Sequence, residues 1–200
     1  FARFTWPRFA RVCAVGLLLW GASIGALIAW HGWDATFTQI GWFFTKAALL
    51  TFGGAYAVLP YVYQAAVENY EWLTPAQMID GLALGETTPG PLIMVVAFVG
   101  FVAGWAKEVL GPDALFWAGA VGAAIATWFT FLPSFVFILL GGPLVETTHG
   151  DLKFTAPLTG ITAAVVGVIL NLAVFFAYHV LWPEGFGGRF EWASAVIGVA

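Results

Sequence analysis

Two short stretches combine the residue types that could hold an anion inside an apolar chain. They are Thr51-Phe52-Gly53-Gly54-Ala55-Tyr56 and Gly85-Glu86-Thr87-Thr88-Pro89-Gly90-Pro91. Pro89 and Pro91 lack an N–H, and Pro91 suits the first turn of a new helix running to about Trp105. The first turn of such a helix leaves the N–H groups of Leu92, Ile93 and Met94 without intrahelical partners, at the positive end of the helix dipole. Gly90 lets a ligand come close to the backbone, and Thr87 and Thr88 add hydroxyl donors. The set reads as an oxyanion cradle, and Gly53 and Gly54 offer a second cradle facing it. A dianion leaving water unpaired costs on the order of tens of kcal/mol, so a cation is wanted. Lys46, two turns before Gly53, is the candidate.

Two acids fall in the same region. Carboxylates inside a membrane are costly and are functional suspects for that reason. Burial raises a carboxyl pKa, so Glu86 beside the interruption, and Asp80 before it, are candidates for taking up and releasing a proton. Each residue has a plainer reading. Gly and Pro can simply kink a membrane helix, Lys46 can snorkel to an interface, Glu86 can cap a helix end, and Asp80 can sit at the headgroups near Thr74.

The elements around these residues point to lipid as solvent. Of 200 residues, 61% are hydrophobic and 9% charged, against about 25% charged in soluble domains. A crossing helix needs about 20 apolar residues. Residues 12–30 form the first such run, and the Arg3, Arg8 and Arg11 flank puts the N-terminus on the cytoplasmic side. Residues 37–66 are longer than one straight crossing and are interrupted by Gly53-Gly54 and Pro60. Thr74-Pro75 reads as a helix start, with Thr as N-cap and Pro in the first turn. The segment 75–107 is broken at 85–91. Residues 114–140 form a span with Pro133 near its far end, 141–156 a polar loop, and 158–182 a further span, before Trp192 opens another. The expected fold is all-α: a polytopic membrane protein of five to six transmembrane segments with two discontinuous helices. Trp30, Trp33, Trp72, Trp105, Trp182 and Trp192 fall near segment ends, as in aromatic belts, whereas Trp20, Trp117 and Trp128 read as space-filling.

Several functions are excluded or disfavoured. There is no basic stripe for nucleic acid, no G-x-x-x-x-G-K-[ST] for a nucleotide, and Cys13 is alone. His31, His149 and His179 lie too far apart in sequence for metal-ligand spacing. No cofactor and no metal are expected. An intramembrane enzyme lacks both H-E-x-x-H and G-x-S-x-G, and Asp80 and Glu86 point to different helix faces. No catalytic residue is assigned. A channel would show rings of polar groups, whereas here they cluster at interruptions.

The ordered series Phe52-Gly53-Gly54-Ala55-Tyr56-Ala57-Val58-Leu59-Pro60-Tyr61, Trp72-Leu73-Thr74, Asp80-Gly81-Leu82-Ala83-Leu84 and Glu86-Thr87-Thr88-Pro89-Gly90-Pro91-Leu92-Ile93-Met94 closely resembles the chromate ion transporter family. Phe98-Val99-Gly100-Phe101 and residues 161–172 are similar to it too, so the likeness covers about the whole chain. The resemblance implies a secondary transporter moving chromate, or its analogue sulfate, across the plasma (inner) membrane, with chromate efflux and resistance. The alternative is a transporter or channel for another small anion. Family members occur as fused two-half proteins or paired short subunits. This chain resembles a C-terminal half, one half of an inverted-repeat transporter. Residues 1–36 would then be the basic flank, inter-half linker and first span, and residues 37–200 the transporter domain, truncated at its last span. The partners implied are the anion, the lipid bilayer, a homologous N-terminal half and, as an option, a second copy in a homodimer.

Overall fold

The computed structural model describes residues 5–51, 58–87 and 93–147, together with scattered positions between 166 and 194. The described residues are helical, with no strand among them. Helix α1 spans Trp6–His31, α2 Thr36–Leu50, α3 Leu59–Tyr63, α4 Pro75–Thr87, α5 Ile93–Ala106 and α6 Leu115–Thr147. A π-helical turn, Gln64–Asn69, continues α3, and a 3-10 turn, Pro112–Ala114, leads into α6.

Two of these helices are long and apolar enough to cross a membrane, α1 and the Pro112–Gly142 stretch that holds most of α6. They lie antiparallel: Gly16 of α1 sits against Val136, and Trp128 Nε1 donates to Ser23 Oγ at 3.1 Å. Gly32, at φ +87°, ends α1, its N–H bonding to Ile28 O at 2.8 Å. The chain then turns back into α2, where Trp20 Nε1 donates to Thr45 Oγ1 at 3.0 Å. Gly41 of α2 accommodates the Phe129 ring of α6.

Helices α5 and α6 form an antiparallel hairpin about Gly111, which takes φ +89°. Gly100 and Gly104 meet the backbones of Gly122 and Ala118, so nothing larger than hydrogen fits between them. This is the small-residue packing by which helices associate where apolar burial gives no preference between lipid and protein.

The segment 75–107 does not run straight on past its interruption. A Cβ on Gly81 would stand 2.6 Å from the Phe98 ring, so α4 and α5 lie side by side and the chain reverses between them. With 14 residues, α5 is about 21 Å long, short of the roughly 30 Å of a hydrocarbon core. The α4–α5 pair is thus a helical hairpin in place of the single broken crossing expected. The segment 37–66 behaves alike. Tyr61 stacks on Phe43 with ring centroids 5.1 Å apart, whereas one straight helix would separate them by about 27 Å. Both interruptions are therefore reversals, and both hairpins open toward the end of the bundle that holds the α5–α6 turn.

The helix start at Thr74 holds, and it is a full capping box. Thr74 N donates to Gln77 Oε1 at 2.9 Å, and Gln77 N donates to Thr74 Oγ1 at 3.3 Å. Three further expectations are corrected. Helix α6 runs through Pro133 and on to Thr147, so residues 141–147 are helix and not loop. Trp72 is buried, 2% exposed, and stacks on Tyr70 at 4.5 Å beside Phe43. It anchors the base of the first hairpin and is no belt residue. Trp117 and Trp128 are exposed and Trp20 is only half-buried. The polar loop beyond Thr147, most of residues 158–182, and His149 and His179 lie outside the described residues.

Candidate functional site

The ends of three hairpin arms, α2, α3 and α5, meet at one cleft. Thr51 ends α2, Val58 and Leu59 lead into α3, and Ile93 opens α5; all of them line a cavity of about 390 Å³ closed by α6. Residues 52–57 and 88–92, which join these arms, lie outside the described residues. Gly53, Gly54, Thr88, Gly90, Pro91 and Leu92 fall there, so their arrangement is not described.

Among the described residues, three hydroxyls line the cleft: Thr51, Thr130 and Ser134. Each donates back along its own helix. Thr130 Oγ1 bonds to Ala126 O at 2.7 Å, Ser134 Oγ to Thr130 O at 3.2 Å, and Thr51 Oγ1 to Ala47 O. Thr130 and Ser134 are four residues apart in sequence and so share one face of α6. Neither was legible as a site residue, because α6 is apolar around them and Pro133 between them reads as an approaching helix end.

The candidates on α4 are partly placed. Gly85, Glu86 and Thr87 belong to the helix, so the α4 arm extends further into the motif than expected and the reversal begins after Thr87. Thr87 Oγ1 donates to Ala83 O at 3.0 Å and Leu84 O at 3.1 Å. Asp80, Ala83, Leu84 and Thr87 form one exposed stripe, opposite the buried Met78, Gly81 and Gly85. The side chain of Glu86 is outside the described residues.

Lys46 stands elsewhere. It shares a second cavity, about 500 Å³ and lined almost wholly by apolar groups of α1, α2 and α6, with Cys13, Trp20 and Thr45. Its Nζ lies 5.9 Å from the centroid of the Trp42 ring, at the edge of cation–π range. Thr51 and Lys46 are on different sides of α2, and the structure does not bring the lysine into the hairpin cleft.

Known proteins resemble this chain in sequence. The family description "Chromate transporter" matches residues 38–200. A protein named "Chromate transport protein" from Cupriavidus metallidurans is 34% identical over 70% of this chain and 31% of its own length. One of the same name from Pseudomonas aeruginosa is 41% identical over 62% of the chain and 26% of its own. An uncharacterised transporter of Methanocaldococcus jannaschii is 28% identical over 84% of the chain and 38% of its own. The chain thus spans well under half the length of these relatives. No solved structure matches it. With two interrupted segments turned back on one cleft and a family match running from Thr38 to the last residue, the chain belongs to the chromate transporter family.

Proposed function

We propose that this chain forms half of the transport site of a secondary transporter that carries chromate out of the cytoplasm across the plasma membrane, conferring chromate resistance. Sulfate, a tetrahedral dianion of the same form, is proposed as its competitor. The observation that supports this most is that Val58 and Leu59 of one motif and Ile93 of the other line one hydroxyl-bearing cleft, in a family whose relatives are named chromate transport proteins.

In this reading the reversals do the binding. Backbone N–H groups at Gly53, Gly54, Gly90 and Leu92 are assigned to the anion, with Pro91 just ahead of α5, whose positive dipole end lies at Ile93. Thr88, and Thr87 once turned from its own helix, add hydroxyl donors. Lys46 offsets part of the dianion's charge from the neighbouring cavity. Glu86 and Asp80 exchange the coupling proton.

The stripe through Asp80 and Thr87 bears on the partner. A carboxylate on a lipid-facing helix surface costs about 2.5–3.5 kcal/mol. That cost is avoided if the stripe faces a homologous N-terminal half, related to this one by an inverted repeat. Residues 1–36 then act as linker and first span, and residues 37–200 as the transporter domain of five to six segments; a homodimer of the two-half protein is a further level of assembly.

The test is uptake of labelled chromate into inverted vesicles holding the full-length protein, with sulfate as competitor and a proton gradient on or off. Saturable, sulfate-inhibited uptake is expected. Absence of uptake by folded protein removes the chromate assignment and leaves the fold.

A further inference from the structure

Helix α6 carries none of the family motif residues quoted above, yet it supplies one wall of the hairpin cleft. We propose that Thr130 and Ser134 are direct contacts of the transported oxyanion, across the cleft from Thr51, Leu59 and Ile93. The assignment rests on the transport reading above and extends it to residues that reading does not contain.

The chemistry follows from where their hydrogens go. Both hydroxyls donate to carbonyls one turn earlier, Ala126 and Thr130. Inside an α-helix those carbonyls already accept the main-chain N–H from four residues on. The hydroxyl bond is therefore a second bond to an oxygen that is already satisfied. Rotation about Cβ–Oγ frees each O–H for a ligand without leaving a carbonyl unpaired and without moving a heavy atom. The pair is then two donors on adjacent turns of one helix face, and a tetrahedral oxyanion presents acceptor oxygens on every side. Ile93 of α5 lines the same cleft, so an anion there lies between the start of α5 and the two hydroxyls. In the empty state the hydroxyls are internally paired, and the cleft does not hold two idle donors in an apolar setting.

The cavity that holds Lys46 offers no comparable case. Its lining is almost entirely apolar apart from Lys46 and Thr45, and Thr45 Oγ1 both donates to Gly41 O and accepts from Trp20 Nε1.

The experiment compares wild type, Thr130→Val, Ser134→Ala and the hydroxyl-keeping Thr130→Ser for chromate uptake into inverted vesicles. A hydrogen bond to a charged group accounts for about a ten- to hundredfold change in affinity. A rise in KM of that size for Thr130→Val and Ser134→Ala is expected, with the maximal rate moved less, and with Thr130→Ser close to wild type. A second readout does not need transport. In a Cys13→Ser background, the S134C thiol is labelled with a small membrane-impermeant reagent, with and without chromate or sulfate. Protection by either anion is expected. Unchanged KM in both hydroxyl-deleting variants overturns the assignment while chromate transport by wild type stands. If wild type takes up no chromate, the transport reading fails, and the labelling decides alone: protection by sulfate supports an oxyanion contact at Ser134, and labelling indifferent to both anions overturns it.

Discussion

Gly81 of α4 and Phe98 of α5 lie so close that a Cβ on the glycine would stand 2.6 Å from the ring. In one unbroken helix they would be about 25 Å apart, so their contact is the signature of the reversal. Gly81→Val is expected to wedge the two arms apart and to cost about 1–3 kcal/mol. Gly25→Ala on α1, where nothing lies within 4 Å, is expected to cost nothing. Melting temperatures of the two variants in detergent check this; equal values would show that the arms do not pack as described.

The α5–α6 crossing is tighter still. A methyl group at Gly104 would overlap the Ala118 carbonyl, and one at Gly122 would overlap that of Gly100. Backbone cannot step aside as a ring can. Gly104→Ala is therefore expected to lower stability by at least as much as Gly81→Val, about 2 kcal/mol or more. Folded yield and melting temperature are the measurements.

Thr74 and Gln77 cap α4 reciprocally. Thr74→Ala removes the acceptor for the Gln77 N–H and is expected to cost about 1 kcal/mol. The loss should be local, so hydrogen exchange would quicken in the first turn of α4 and hold steady in α6. Uniform protection in Thr74→Ala would contradict it.

Pro91→Leu restores an N–H and a good helix former where the α4–α5 reversal occurs. Chromate transport is expected to fall roughly tenfold or more as the cradle is lost, with the protein still inserted in the membrane. Transport at the wild-type rate would remove the cradle.

Glu86→Gln keeps the shape and removes the titrating proton. The pH dependence of transport is expected to flatten, with a slower maximal rate. A pH profile identical to wild type would free Glu86 of any coupling role and leave Asp80 to be tested in the same way.

The positions of the interruptions were legible in the sequence because Gly and Pro mark where helical hydrogen bonding fails, and Thr74 because a capping residue precedes a Pro and an apolar run. The reversals were not legible. In a chain whose lipid-facing and protein-facing surfaces are both apolar, hydrophobic periodicity does not say whether a broken segment continues or turns back. The deciding facts are tertiary, Phe43 against Tyr61 and Gly81 against Phe98. Pro133 suggested an approaching helix end, yet α6 passes through it; membrane helices tolerate Pro because neighbouring groups re-satisfy the freed backbone. Trp72 was assigned to the headgroups by position alone, and the stacking partner that buries it, Tyr70, lies within the same short turn. Thr130 and Ser134 gave no signal, since a hydroxyl in an apolar helix is as a rule bonded to its own backbone.

That both hairpins open toward one end of the bundle has an electrical consequence. Helix α5 is about 21 Å long, so water entering to that depth from the open end would leave only about a third of a 30 Å hydrocarbon core to insulate one side from the other. The transmembrane voltage would then fall across that thin remaining layer and not evenly along α6. Each elementary charge crossing it would exchange about 2.3 kcal/mol per 100 mV over about 10 Å of travel. Under the proposed transport reading, a doubly charged anion crossing that layer would gain nearly all the work that the membrane potential can do on it in that one step.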